Sequence, residues 1–263
     1  MSAYQNILTE IDHGVGIITL NRADRHNAFD DAMIAELAQA IEIMSAEPEV
    51  RVLVVSSTGK SFCAGADLNW MRRAAGYGSE ENLADSRVLA EMLRRLAQCP
   101  KPTVARVQGP AYGGGVGLVA CCDVAIATFD TQFTLSEVKL GIIPAVISPH
   151  VIAAIGERYA RRYMLTAERF SAAEAYRIGL IHEMVADEEA LDEAVGEVVE
   201  ALLKNSPNAM RECKELIAAV AWKPLSPEVV EDTALRITRL RASVEGREGM
   251  TAFLEKRKPF WVR

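Results

Sequence analysis

Three consecutive glycines, Gly113–Gly115, stand at the start of the most apolar stretch of the chain, GPAYGGGVGLVACCDVAIA. They follow a run typical of a β-strand, TVARVQG, and precede an apolar run typical of a helix. The first turn of a helix has unpaired N–H donors and the positive end of the helix dipole. Because glycine lets a ligand approach the backbone closely, this turn could stabilise a phosphate or a developing oxyanion. The alternative is that the glycines only allow a helix to pack closely on a sheet.

A single glutamate, Glu137, lies among apolar residues in the segment FTLSEVKLGIIP. Burial among such neighbours raises the pKa of a carboxyl group, which suits a general acid or base near neutral pH. The alternative is an exposed glutamate that forms an ion pair with Lys139. A third stretch, SFCAGADLNW, follows a continuous apolar run. Its small residues would leave room for a ligand at the C-terminal end of a parallel strand.

Other chemistries find less support in the sequence. Gly115, Gly117 and Ala120 fit a loose GxGxxA dinucleotide pattern, but other strands precede it, whereas such a pattern belongs near the first strand–helix turn. The four histidines form no HxxxH or HxH pair and the five cysteines form no CxxC pair, so we expect no zinc site and no disulfide framework. The sequence has no GxSxG pattern, so a hydrolase nucleophile is unsupported.

The composition of the 263 residues is that of a globular protein, with 50% hydrophobic and 25% charged residues and a net charge of −7. An acidic chain argues against a nucleic-acid partner, since phosphate backbones are bound by clustered Lys and Arg. No apolar run reaches the roughly 18 residues that a membrane helix needs. Because the first residues also show no signal-peptide pattern, we expect a cytoplasmic protein with reduced cysteines and no membrane partner.

The elements that must position these residues alternate between strands and helices over the first 140 residues, which indicates an α/β fold. ILTEID and VGIITLN predict an antiparallel hairpin, and VRVLVVSS predicts a buried parallel strand. The second half is mostly helical. Ser171 and Glu174 predict a capping box, and Ser–Pro pairs open two helices near the C-terminus. We place a core at residues 1–200 and a helical appendage at 201–263.

Five motifs, in this order, resemble the enoyl-CoA hydratase/isomerase (crotonase) superfamily: NRADRHNAF, SFCAGADL, KPTVARVQGPAYGGGVGLVACCDVAIA, FTLSEVKLGIIP and GREGMTAFLEKRKPFW. The resemblance implies a crotonase-like spiral of ββα turns, with C-terminal helices that build a homotrimer or homohexamer. It also implies an acyl-CoA thioester substrate. Coenzyme A is then part of the substrate, and no metal or redox cofactor is expected. The backbone N–H groups of Ala66 and Gly114 would form an oxyanion hole, and Glu137 would be the acid or base.

The resemblance also places residues around coenzyme A. Arg25 would lie near the phosphates, and four residues would flank the adenine, namely Ala64, Ala66, Asp67 and Leu68. Phe253 and Lys256 would come from a neighbouring subunit. From their places in the sequence, Tyr112, Ser148 and His150 could line a pocket, and we include Tyr112 and His150 among the candidate substrate-binding residues. Candidates for binding a distal carboxylate on the acyl group are Arg72, Arg73, Lys139 and His150.

Two departures from the family pattern bear on the reaction. Family hydratases carry a second glutamate two residues after the glycine triplet, where this chain has Gly117. After IIP, many relatives have a glycine-rich run, whereas this chain has AVISPH. The segment resembles a hydratase subgroup of leucine or terpene breakdown that acts on branched glutaconyl-CoA, such as 3-methylglutaconyl-CoA or isohexenylglutaconyl-CoA. Two alternatives stay open: a Δ3-Δ2-enoyl-CoA isomerase with one glutamate, and a non-catalytic CoA-ester-binding module.

Overall fold

The computed structural model describes residues 4–262. The strands are β1 (Ile7–Asp12), β2 (Val15–Leu20), β3 (Val52–Ser57), β4 (Thr103–Val107), β5 (Ala111–Tyr112), β6 (Val124–Thr128), β7 (Gln132–Thr134), β8 (Phe170–Ser171) and β9 (Glu183–Val185). The helices are α1 (Asp31–Ala46), α2 (Leu68–Ala74), α3 (Ser79–Ala97), α4 (Gly114–Cys121), α5 (Ser148–Thr166), α6 (Ala172–Ile178), α7 (Glu188–Leu203), α8 (Pro207–Val220), α9 (Pro227–Ala242) and α10 (Val244–Leu254).

The main sheet has the strand order β1-β2-β3-β4-β6-β9. β1 and β2 form the predicted antiparallel hairpin, and His13 and Gly14 in its turn both have positive φ angles. The remaining neighbours pair in parallel. β3 is buried along its whole length, as its continuous apolar run predicts for a parallel strand that is covered on both faces. The predicted α/β class is therefore confirmed.

Helices cover both faces of this sheet. Because successive side chains of a strand point to opposite faces, Leu53 and Val55 of β3 join the larger core, together with residues of α1, α3 and α4. Val52 and Val54 face the other way and pack in a second cluster with Leu191 of α7. The carboxyl ends of β3 and β4 thus lead into the loops that carry the predicted site residues.

A smaller sheet, β5-β7-β8, holds the second half of the site. β5 pairs with β7 in parallel, and β7 pairs with β8 in antiparallel orientation. A 3-10 turn at Glu137–Leu140 follows β7 and ends at Gly141, whose φ is 75°. α5 is interrupted at Gly156, which has a φ of 72° and a ψ of 161°, so it consists of two helical pieces.

The C-terminal helices α8, α9 and α10 bury few side chains. Ser206 and Ser226 cap α8 and α9, and a proline follows each of them, as predicted. An ion pair of 2.5 Å between Lys214 and Asp123 joins α8 to the core. No side chain of α9 is buried in the described structure. The predicted boundary at residue 200 falls inside α7, which ends at Leu203.

The capping box predicted for α6 is only half formed. The N–H of Glu174 donates to the Ser171 hydroxyl at 3.3 Å, as expected. The Glu174 carboxylate does not reach back to the helix start, because it accepts hydrogen bonds from the Tyr163 hydroxyl and from Arg177. Gly179, with a φ of 86°, ends the helix at the predicted place. Tyr163, 11 residues away, and Arg177, three residues away, therefore bind the carboxylate that a full capping box would use.

The described helices of residues 4–262 include none that is long and apolar enough to cross a membrane. The five cysteines are free thiols, as expected, and four of them are buried.

Candidate active site

The glycine turn lies where β5 passes into α4. Gly113 has a φ of 49° and a ψ of −115°, and α4 begins at Gly114. The N–H of Gly113 donates to the carbonyl of Thr134 at 2.8 Å. The N–H of Gly114 has no acceptor within residues 4–262. Because it lies at the positive end of α4, this N–H is a free donor for an anionic or carbonyl oxygen.

The same glycines also pack too closely to accept side chains. A Cβ on Gly115 would lie 2.4 Å from the carbonyl oxygen of Cys63, and a Cβ on Gly114 would lie 2.8 Å from the ring of Phe29. Neither distance leaves room for a methyl group. Close packing and a free donor, the two interpretations of the glycine run, therefore occur together.

The second candidate donor is the N–H of Ala66, in the loop between β3 and α2. Phe29 forms an isolated parallel bridge with Ala66. The N–H of Phe29 donates to the carbonyl of Gly65 at 2.7 Å, and the carbonyl of Phe29 accepts from the N–H of Asp67 at 2.7 Å. These bonds use the neighbours of Ala66, and the N–H of Ala66 itself has no acceptor in the described part of the chain. Ala66 is exposed.

Backbone contacts join the two loops. The N–H of Cys63 donates to the carbonyl of Pro110 at 3.2 Å, and the carbonyl of Cys63 accepts from the N–H of Tyr112 at 2.9 Å. A Cβ on Gly65 would lie 3.0 Å from the carbonyl oxygen of Tyr112. The loop that carries Ala66 therefore lies directly against the turn that carries Gly114.

The NRADRHNAF segment supports the Ala66 loop. Asn27 is fully buried, and its side-chain amide donates to the carbonyls of Thr58 at 2.8 Å and Ser61 at 2.9 Å. The carbonyl of His26 accepts from the N–H of Ala64 at 3.0 Å. His26 and Asn27 have φ angles of 51° and 54°, a left-handed conformation in which Asn and His are enriched. This motif therefore positions the loop through hydrogen bonds.

Glu137 opens the 3-10 turn after β7 and faces the glycine turn. A Cβ on Gly113 would lie 3.0 Å from Glu137 Oε1. Glu137 Oε2 is buried and has no hydrogen-bond partner in the described structure. Burial raises the pKa of Glu137 above its ordinary value. Glu137 is half-buried, Lys139 is exposed, and no ion pair joins them within residues 4–262, so the alternative of an exposed Glu–Lys pair is not observed.

The carboxylate of Asp67 already has partners within the protein. It caps α2 by accepting from the N–H of Asn69 at 2.7 Å, and it pairs with Arg22 at 3.3 Å. Burial alone would raise the pKa of Asp67, but hydrogen bonds from the Asn69 and Trp70 N–H groups and the charge of Arg22 lower it. The side chain of Asp67 therefore fixes the start of α2. Its predicted contact with adenine stays a prediction.

The other residues predicted to bind coenzyme A lie in two parts of the chain. Arg25, Ala64 and Leu68 belong to the segments that surround Ala66, and Leu68 is 68% exposed. Phe253 lies on α10 and is 83% exposed, and Lys256 follows that helix. A role toward coenzyme A stays a prediction for all five.

Tyr112 and His150 lie on either side of α4 in the sequence. The Tyr112 ring packs against the guanidinium of Arg169, 5.5 Å from the ring centroid. His150 lies in the first turn of α5, which packs on α4. It is half-buried, and burial lowers the pKa of its imidazole. Its ring has no hydrogen-bond partner in the part of the chain that the structure describes.

Two residues that shape this region were not singled out from the sequence. The ring of Phe29 lies against Gly114, and its backbone holds both neighbours of Ala66. The side chain of Ile147 lies against Gly117, where a Cβ would be 2.3 Å from Ile147 Cγ2. Phe29 belongs to the NRADRHNAF motif and Ile147 to the AVISPH departure, but neither segment shows in the sequence which of its residues faces the glycines.

No group of three or more His, Cys, Asp or Glu side chains in residues 4–262 is arranged to hold a metal ion.

Known proteins resemble this chain in sequence and in fold. The family model for enoyl-CoA hydratase/isomerase matches residues 10–263. The solved structure of an enoyl-CoA hydratase from Shewanella pealeana is 45% identical, with a TM-score of 0.96 over 98% of this chain and 96% of that chain. Pseudomonas aeruginosa AtuE is 39% identical, with a TM-score of 0.94 over 98% of this chain and 100% of that chain. The crotonyl-CoA hydratase of Syntrophomonas wolfei is 33% identical over 268 residues, which cover 99% of each chain.

Proposed function

The chain belongs to the enoyl-CoA hydratase/isomerase family, and from this premise we propose that it adds water across the 2,3 double bond of an enoyl-CoA thioester. One observation carries the proposal. The two backbone N–H groups without acceptors, on Ala66 and Gly114, lie on loops in direct contact, and the partnerless carboxyl oxygen of Glu137 lies beside the same turn.

In this reaction the donors act on the thioester oxygen. When a nucleophile adds to the β-carbon, electron density moves through the double bond and the thioester becomes enolate-like. Negative charge then develops on the carbonyl oxygen. Donors that are already aimed at that oxygen stabilise the transition state more than the ground state, and one such donor typically contributes roughly 10²–10³ in rate.

Glu137 supplies the proton transfers. Its carboxylate accepts a proton from water while the water oxygen bonds to the β-carbon. The resulting carboxylic acid then gives a proton to the α-carbon, so the net change is addition of one water molecule. Because burial raises its pKa, Glu137 takes up and releases a proton more readily near neutral pH than an exposed glutamate does.

The isomerase is the second candidate, because one carboxylate can move a proton between two carbons and position 117 carries no acid. A 2-enoyl-CoA incubated in heavy-oxygen water separates the two reactions. Label in a 3-hydroxyacyl-CoA product supports hydration. Migration of the double bond without incorporated label would replace hydration by isomerisation.

A non-catalytic CoA-ester-binding module is the third candidate, and it differs in class. The unpartnered, half-buried Glu137 speaks against it, since a binding module gains nothing from such a carboxyl group. A protein that binds CoA esters but converts none of a panel of enoyl-CoAs would favour the module. Turnover that is lost in Glu137→Gln, with binding of a saturated acyl-CoA retained, supports the enzyme.

We further propose a branched glutaconyl-CoA, such as 3-methylglutaconyl-CoA or isohexenylglutaconyl-CoA, as substrate in leucine or terpene breakdown. Of the candidate cations for its distal carboxylate, Arg73 already pairs with Asp31 at 2.7 Å, and Arg72 donates to Asn69 at 2.7 Å. Lys139 and His150 have no side-chain partner in the described residues, but burial lowers the pKa of His150 and so disfavours its charged form, which leaves Lys139 as the preferred cation. A panel of enoyl-CoAs tests this: Lys139→Met should raise KM for the diacid substrates and leave crotonyl-CoA unaffected.

We also propose that the protein is a homotrimer or homohexamer in the cytoplasm and turns over without a metal or redox cofactor. Large apolar side chains exposed on and near the C-terminal helices support the assembly, namely Trp222 (85%), Leu225 (85%), Val244 (77%), Phe253 (83%) and Leu254 (79%). Sedimentation equilibrium tests the assembly. Activity that survives dialysis against a chelator would support turnover without a metal.

A further inference from the structure

Ile147 leaves no room for a side chain at Gly117 of α4. A Cβ on Gly117 would lie 2.3 Å from Ile147 Cγ2 and 2.9 Å from Ile147 Cβ. The second distance involves an atom next to the backbone, so a change of side-chain rotamer cannot relieve it. The N–H of Gly117 donates to the carbonyl of Gly113, the N-cap of α4, at 3.2 Å, so Gly117 lies one helical turn after Gly113. The Cβ position of Gly113 meets the Glu137 carboxylate, and the Cβ position of Gly117 meets the Ile147 side chain.

Ile147 is held firmly in this position. Its carbonyl accepts from the N–H groups of His150 at 3.1 Å and Val151 at 3.0 Å, which ties it to the first turn of α5. Its side chain is only 3% exposed. Because isoleucine is branched at Cβ, it has few rotamers with which to move aside.

We propose that Ile147 is a specificity-determining residue of the proposed enzyme: it fills the place where a side chain on α4 would stand beside Glu137. The surface next to the reacting carbons is then apolar at Ile147, and Glu137 is its one titratable carboxylate. This inference rests on the proposed function. If the protein lacked the proposed function, Ile147 and Gly117 would still be sterically coupled, but their coupling would have no effect on proton transfer.

A double-mutant cycle tests the steric part without any substrate. Gly117→Ala should lower the Tm by roughly 5 °C, since overpacking a well-packed core is destabilising. In the Ile147→Gly background, which removes both of the clashing atoms, the same change should cost less than half of that shift. Equal shifts in the two backgrounds would overturn the steric coupling. Ile147→Val keeps Cγ2 and is the matched control, in which the full shift should persist.

The chemical part is tested by Gly117→Glu combined with Ile147→Gly, with Ile147→Gly alone as reference. In the reference, kcat/KM should fall at low pH with the slope of one ionisation, as in the wild type. The pH profile of the double variant should show a second ionisation. Alternatively, when Glu137→Gln is added to both proteins, the double variant should be at least tenfold faster than the reference. A double variant that matches its reference in both measurements would overturn the proposal. A wild-type protein that converts no enoyl-CoA would refute the proposed function, whereas the Tm shifts of the Gly117 and Ile147 variants would still test the steric coupling.

Discussion

Replacing Gly115 with alanine should displace the two proposed oxyanion donors, the N–H groups of Ala66 and Gly114, without altering the Glu137 side chain. The new Cβ would lie 2.4 Å from the carbonyl oxygen of Cys63, whereas ordinary contacts begin at 3.4 Å, so the two backbones must separate by about 1 Å. Cys63 belongs to the loop of Ala66, and position 115 adjoins Gly114, so the separation spreads the two donors. A displacement of about 1 Å at a reacting group costs roughly 10²-fold in rate, or about 2.7 kcal/mol.

The expected result for Gly115→Ala is a kcat reduced roughly 10²-fold and a stability loss of about 1–3 kcal/mol. Loss of absorbance of the conjugated thioester measures the first, and urea unfolding measures the second. Gly196→Ala is the matched control. Gly196 lies inside α7, nothing lies within 4 Å of its Cβ position, and alanine there should stabilise by roughly 0.5–1 kcal/mol with unchanged kcat. A Gly115→Ala enzyme within threefold of wild-type kcat would refute this reasoning.

Three further outcomes are expected. Glu137→Gln should lower kcat by roughly 10²–10⁴, and wild-type kcat/KM should fall as the pH drops through a Glu137 pKa above the ordinary glutamate value, which a pH–rate profile will show. Because burial raises that pKa above its value in the unfolded chain, Glu137 begins to lower the free energy of unfolding as the pH rises past the unfolded-state pKa, and the loss is complete above the folded-state pKa. Glu137→Gln should therefore raise the Tm relative to wild type at pH 8 and leave it unchanged at pH 4, by differential scanning calorimetry. Asp67→Ala should lose about 0.5–2 kcal/mol in urea unfolding through loss of the α2 cap, and equal stability would contradict the assigned cap.

Local sequence patterns predicted the elements well where local physics decides them. The alternating ILTEID and VGIITLN runs gave the hairpin, and Ser206 and Ser226 cap the helices they precede. Glu174 behaved differently, because Tyr163 and Arg177 take its carboxylate. A capping box considers only two positions of the helix, and it fails when other residues, near or distant in the sequence, bind the carboxylate instead.

The candidate site was predictable in its residues but not in its contacts. Glu137 could be proposed from its apolar neighbours alone, and the structure shows the burial that this reasoning assumed. Nothing local to Gly117 shows why it lacks a side chain, since Ile147 is 30 residues away and meets it only through the packing of α5 on α4. Likewise, the ion pair of Asp67 with Arg22 joins segments that are distant in the sequence, so it could not be predicted from either segment alone.

The close packing of α4 has a consequence for how such an enzyme can change its substrate. Phe29, Cys63 and Ile147 leave the helix no freedom to vary at Gly114, Gly115 or Gly117. Leu140 (58% exposed), Ile142 (56%) and Ile143 (71%) have no such neighbours enclosing them. Directed evolution toward a longer or more branched acyl chain should therefore gather its changes after Glu137 and leave the helix alone. Residues that accelerate the reaction and residues that select the acyl chain would then lie in different segments, the first in α4 and the second after Glu137.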